Sequence, residues 1–303
     1  MRIESRWVRI VLVLLFLAAS LQRASSSTVI GYVNVVLVPG YNLIANPFIV
    51  QPDTSLASVM TNIPDGTVAY EWDVGKQSFG TAAFFDALDG WTTPFDLPPG
   101  KGCLVHVSSR WTNTFIGEVP QGSFTNFIAG TNKLSLVSSK VLQRGTISSA
   151  LKFPVTDGTD LYLYRTNSQS YSNAYSYFAG FGWFDVVAPS VPAEPVIEVG
   201  QAFFVARPGP GTNWLQSLIV GGSALSKAKT AVVDSTAPDI QKMVATGSKV
   251  TLTVRNPKAQ IYNVEFSTDG STWNTVASAQ AGRTWTGPFP GGAQGHFRVT
   301  NPQ

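Results

Sequence analysis

Two histidines, His106 and His296, are the only imidazoles in the chain, so any mechanism built on a histidine base must use one of them. His106 belongs to the alternating run Cys103-Leu-Val-His-Val107. Side chains alternate faces along a strand, so Cys103, Val105 and Val107 face one way and Leu104 and His106 the other. His296 alternates with Phe297 and Val299 and is expected to point to solvent. Neither lies beside a Gly-x-Ser-x-Gly elbow or in a His-Glu-x-x-His helix, and no catalytic residue is assigned.

Glycoside hydrolysis needs only two carboxylates, which keeps a glycoside hydrolase-like enzyme among the readings. Asp86, Asp89, Asp96, Asp157, Asp160 and Asp185 lie near aromatic residues. Asp65-Gly66 and Asp157-Gly158 read as tight turns in which the aspartate accepts backbone amides, with calcium ligation as the competitor. Calcium takes six to eight oxygens, and no dense acidic run supplies them, so no metal and no cofactor are assigned. Ser267-Thr-Asp-Gly-Ser-Thr-Trp273 departs from the sialidase Asp-box because Asp269 and Gly270 are adjacent. Cys103 is the single cysteine and excludes an intrachain disulfide.

Aromatic residues are the unusual resource. The segment Tyr171-Ser-Asn-Ala-Tyr-Ser-Tyr-Phe-Ala-Gly-Phe-Gly-Trp183 places many rings among Ser, Asn and Gly. Rings beside polar neighbours suit stacking on apolar ligand faces, so Tyr171, Tyr175 and Tyr177 are candidate ligand-binding residues, with sugars as the ligand. Core packing is the competing reading for this segment.

The elements that position these residues come in duplicate. Asp65-Gly66-Thr67, Tyr70, Trp72, Phe79, Phe85 and Gly90-Trp91 recur 92 positions later as Asp157-Gly158-Thr159, Tyr162, Tyr164, Tyr171, Tyr177 and Gly182-Trp183. Cys103 matches Phe203, which marks a buried apolar position, and His106 matches Ala206. Asp86 and Asp89 meet Phe178 and Phe181, so the duplication does not keep them. Short runs rich in Val, Ile, Thr, Tyr and Phe between Gly, Pro, Asn and Asp clusters predict an all-β chain. Short helical turns are expected only at 55–60 and 146–152. Eight extra residues in the second copy carry Pro189, Pro192 and Pro195 and predict an exposed loop.

Residues 1–26 combine Arg2, Arg6 and Arg9 with an uncharged apolar run from Ile10 to Ala19 and read as a secretory signal peptide cleaved after Ser26, an uncleaved anchor being the alternative. The apolar run stops short of the roughly 20 residues that span a bilayer. Of 21 basic and 18 acidic residues, removing four Arg and one Glu leaves 17 of each. The processed chain then offers no basic patch for nucleic acid and no membrane span. Polysaccharide or other envelope proteins are the expected partners.

The division that follows is a β-rich unit at 30–119, a second at 120–221, a linker at 222–237 and a small β-sandwich at 238–303. The run Tyr262-Asn-Val-Glu-Phe-Ser-Thr-Asp-Gly-Ser-Thr-Trp273 resembles the central hairpin of fibronectin type III-like modules of secreted bacterial proteins. At about 70 residues that unit is short for the family, which leaves room for a missing or donated edge strand. Gly40-Tyr-Asn-Leu-Ile-Ala-Asn-Pro, the two Gly-Trp pairs and Pro-Pro-Gly-Lys-Gly resemble a class of secreted tandem-repeat β-proteins of Gram-negative bacteria. That resemblance implies a fold and an extracytoplasmic location but no activity. The sequence thus points to a secreted, non-enzymatic structural or adhesive protein, with carbohydrate binding as the alternative.

Overall fold

The computed structural model describes residues 28–190, 192–218, 238–256 and 258–302. The leader at 1–26 and the linker at 222–237 lie outside the described residues. The chain is all-β. The N-terminal segment holds β1 (Ile30–Leu37), β2 (Gly40–Ala45), the one-turn helix α1 (Leu56–Val59), β3 (Val68–Asp73), β4 (Ser78–Phe79), β5 (Ala83–Asp86), β6 (Gly90–Trp91), β7 (Gly102–Val107) and β8 (Trp111–Glu118). The middle segment holds β9 (Gly122–Ile128), β10 (Ser135–Ser138), β11 (Gly145–Thr146), β12 (Thr159–Tyr162), β13 (Tyr164–Arg165), β14 (Ser170–Tyr171), β15 (Tyr175–Phe178), β16 (Gly182–Asp185), β17 (Val196–Ile197), β18 (Ala202–Ala206) and β19 (Thr212–Leu218). The C-terminal segment holds β20 (Asp239–Thr246), β21 (Lys249–Arg255), β22 (Tyr262–Ser267), β23 (Asn274–Gln280), β24 (Thr284–Pro288) and β25 (Gln294–Thr300).

One strand order occurs twice. The N-terminal sheet runs β2-β7-β3-β5-β6 and the middle sheet β10-β18-β12-β15-β16. Each segment also pairs its first strand with its last, β1 with β8 and β9 with β19. The turns repeat at the level of single bonds. Ala87 donates to Asp65 at 2.9 Å and Ala179 to Asp157 at 2.8 Å, so both aspartates cap a backbone turn. Gly66 and Gly158 follow with φ of 73° and 76°, a left-handed conformation that glycine adopts without steric cost.

Period-two alternation sends one face of each sheet into its own core and the other toward the opposite sheet. Ile44, Ala69, Cys103, Val105 and Val107 pack inward with Val33, Leu37, Phe115 and the helix residues Leu56 and Val59. Val137, Leu161, Phe203 and Val205 pack with Ile128, Ile147, Trp183 and Trp214. Burying a side chain of this size contributes roughly 1.5–3 kcal/mol. Cys103 and Phe203 are both 0% exposed, and burial pushes the Cys103 thiol up to about 12. The outer faces meet each other through Leu43, Ala45, Leu136, Ala202 and Phe204, with Trp72, Leu104 and Tyr164 alongside.

This meeting is reciprocal. Lys101 forms a bridge with Val137 and Gln201 one with Ile44. Ala45 donates to the Gly200 carbonyl at 2.9 Å, and Ser138 donates to the Gly100 carbonyl at 3.0 Å. Gln77 clamps both backbone groups of Leu134, accepting from its N–H at 2.8 Å and donating to its carbonyl at 3.1 Å. Gln169 does the same to Tyr41, at 2.5 Å and 3.1 Å. A net contribution of about 1 kcal/mol per exposed clamp is reasonable. Gln77→Ala and Gln169→Ala are each expected to lower unfolding stability by that amount and to add in the double variant, read from urea midpoints at unchanged slope.

The C-terminal segment does not close on itself. One of its sheets is β20-β21-β24, and the other continues β23-β22-β25-β1-β8 into the N-terminal segment. Ile30 pairs with Phe297 and Tyr32 with Gly295. Ile30 and Tyr32 turn outward from the N-terminal core to pack with Ile240, Val250, Leu252, Tyr262 and Phe297. Ser123, which takes the place of Tyr32 in β9, is exposed, and among the described residues only β19 pairs with β9.

Three expectations are corrected. Residues 146–152 form no helix: β11 draws Gly145 and Thr146 into pairing with β17, and the Glu194 carboxylate takes the Ser148 and Ser149 amides at 2.6 Å and 2.8 Å. The proline loop is exposed at Pro189 and Pro192 but buried at Pro195, where it returns as β17. His296 is 2% exposed rather than solvent-facing, because β25 is covered on both sides.

Candidate functional site

The residues named from sequence fall on different faces. Tyr175 and Tyr177 pack against the middle core, and Tyr177 meets Trp183 edge-on at 5.6 Å. Tyr171 stands apart from them in β14, edge-on to Tyr164 at 5.1 Å and to Phe204 at 5.6 Å. It is 40% exposed, yet burial, with Tyr164 alongside, pushes its phenol up to about 12. Trp91 and Trp183 have matching surroundings. Trp91 meets Phe85 at 5.5 Å and donates to the Met60 carbonyl, as Trp183 meets Tyr177 and donates to Ser148 Oγ. Trp183 is the more deeply buried.

A different set of rings converges at the open end of the N-terminal sheet. Strand pairing lines up Tyr41 with His106, His106 with Val68, and Val68 with Phe84. Four strands at a spacing of about 4.8 Å make this row about 14 Å long. Tyr41 is 39% exposed and Phe84 52%, so both ends reach solvent. Tyr41 sits edge-on to His106 at 5.0 Å and tilted to Tyr70 at 6.5 Å. Burial, then the Tyr41 phenol, raises the Tyr70 pKa, and the same two causes raise that of Tyr164. The row therefore borders the middle segment, and the Gln169 clamp fixes the Tyr41 backbone there.

The matching row of the middle sheet has another character. Ala206 pairs with Asp160, and Asp160 with Ser176, and the Ser176 hydroxyl donates to Asp160. Leu134, Ala206 and Ser176 stand where the N-terminal sheet has Tyr41, His106 and Phe84. The fold is satisfied without rings at these places. Sequence reasoning missed Tyr41 and Phe84, and the signal that could have found them was this difference between the two sheets.

Serine, histidine and aspartate do approach one another at Ser267, Asp269 and His296. Ser267 pairs with His296 across the sheet, but its hydroxyl donates to Asp269 at 2.9 Å and accepts from Gly270 at 2.9 Å. Ser267 is 0% exposed, so this cluster braces a turn away from any substrate. Asp269 also accepts from the Ser271 and Thr272 amides, each at 2.8 Å, which holds its carboxyl well below the usual range. Among the described residues no group of three or more His, Cys, Asp or Glu is placed to hold a metal ion. No described helix is long and apolar enough to cross a membrane. Compared with known proteins, the chain matches no family model, no curated protein and no solved structure.

Proposed function

We propose that this chain is a secreted, non-enzymatic structural or adhesive protein of the cell envelope or extracellular space, which holds carbohydrate on the aromatic row of its N-terminal sheet. In this reading the N-terminal and middle segments are tandem homologous units, followed by a fibronectin III-like sandwich that borrows β1. The common strand order and the reciprocal contacts support the pairing of the units. The single observation that carries the functional reading is the row Tyr41, His106, Val68 and Phe84, ring-bearing and open in one segment and replaced by Leu134, Ala206, Asp160 and Ser176 in the other. Rings flanked by phenol and imidazole groups stack on the apolar faces of sugars while offering hydrogen bonds at their edges. A row of this length fits a chain of sugar rings rather than a single one.

The test is affinity electrophoresis or calorimetry on soluble polysaccharides with the whole chain. Tyr41→Ala and Phe84→Ala are each expected to weaken binding about tenfold, equivalent to about 1.4 kcal/mol, with unfolding midpoints near that of the parent. Tyr175→Ala is expected to lower stability and leave affinity unchanged, because that ring packs on the middle core. Binding that survives both Tyr41→Ala and Phe84→Ala would remove the row from the reading.

A further inference from the structure

His296 lies in β25 between Gly31 of β1 and Ser267 of β22, at the seam where the C-terminal segment joins the N-terminal one. A β-carbon on Gly31 would lie 2.8 Å from Phe48 Cε1, 3.1 Å from His296 Nδ1 and 3.1 Å from Val119 Cγ2. The imidazole therefore converges with two apolar core side chains over a glycine, and among the described residues its Nδ1 has no hydrogen-bond partner. A second ring proton would place an N–H donor and a charge where no acceptor waits, which is costly in a buried site.

The charged neighbours do not supply that acceptor. From the turn after β22, Asp269 faces the imidazole, but its carboxylate is committed to Ser271, Thr272 and Ser267. Two residues along β25, Arg298 adds another positive charge, paired with Glu265 of β22 at 2.6 Å and held 4.1 Å over Trp273. The paired stretch of β1, Ile30 to Val33, carries no charge. Glu118 of β8 pairs with Ile30 on the far side of β1.

We propose that docking of the C-terminal segment on β1 is an acid-released contact, with protonation of His296 as the trigger that opens the β1–β25 seam. Burial pushes His296 down from 6.5 to about 4, against a smaller upward pull from Asp269. The open state therefore takes up a proton at a higher pH than the closed one. The contact is strongest above pH 6.5 and weakens about tenfold per pH unit down to pH 4. Glu118 works in the opposite sense: its pKa is raised by burial and by Asp239, so its protonation relieves a repulsion in acid. The larger displacement belongs to His296 and sets the direction.

Hydrogen exchange of the whole chain, corrected for the intrinsic effect of pH, tests this. Between pH 7 and pH 4.5, amides of 30–33 and 294–297 are expected to lose about 100-fold in protection, while those of β2 and β7 keep theirs. His296→Gln is expected to abolish the difference. A seam whose protection does not change with pH, or a His296→Gln chain that still loses it, overturns the proposal. If that variant does not fold, an NMR titration of the parent decides: a His296 ring that stays neutral below pH 5 and protonates together with seam opening supports it. A ring that titrates near 6.5 with the seam closed overturns it.

Discussion

Trp214→Ala is expected to lower the unfolding free energy by about 4 kcal/mol, the range for removing a buried tryptophan from a packed core. Trp214 is 0% exposed and stands in β19, the last strand of the middle segment. Its ring lies edge-on to Phe153 at 5.1 Å and tilted to Phe203 at 6.2 Å, and its indole N–H donates to the Leu151 carbonyl at 2.8 Å. Truncation removes one of the two tryptophans of this core and strips the Leu151 carbonyl of a donor in a buried place. The cavity is bounded by rings that cannot collapse into it. Urea unfolding monitored by circular dichroism reads the effect, and a loss below about 2 kcal/mol would mean that the surrounding loop relaxes into the space.

Gly102→Val is expected to cost about 3 kcal/mol, the upper part of the range for overpacking. A β-carbon there would lie 2.6 Å from the Ala202 β-carbon and 2.9 Å from Leu136 Cγ. Ala202 has no torsion by which its methyl can move aside, so one sheet must shift against the other. Ala45 and Gly200, then Ser138 and Gly100, hold the sheets in place within a few residues of that contact. The shift therefore strains these bonds as well as the packing. Thermal unfolding checks the prediction, and Gly102→Ala should show a smaller loss in the same direction. An unchanged midpoint in both variants would show that the sheets are free to separate.

The 92-residue recurrence of turns and rings was legible because glycines, turn aspartates and large rings are costly to replace where a turn or a core requires them. Asp65 and Asp157 show this, each accepting an amide 22 residues ahead. Gln77 and Gln169 share the same 92-residue spacing, each followed by Ser and an aromatic, but a polar exposed residue carries no burial signal. The solvent-facing expectation for His296 failed because alternation identifies two faces without saying that both are covered. Phe297 faces the C-terminal core and His296 the Phe48 side of β1, an arrangement set by a strand from the other end of the chain. The aromatic row was hidden for a related reason. Tyr41, His106, Val68 and Phe84 are separated in sequence and become neighbours only through strand pairing.

The pairing of Ile30 with Phe297 also bears on the order of events during synthesis. β1 emerges long before β25, so the edge of β1 that β25 fills stays open until β25 has left the ribosome. Contacts so remote in sequence form slowly, because the entropy of closing a long loop is lost before any bond rewards it. The sheet that joins β1 to β25 is thus expected to be a late step in folding, and a chain truncated before β25 is expected to leave the backbone edge of β1 from Ile30 to Val33 unpaired.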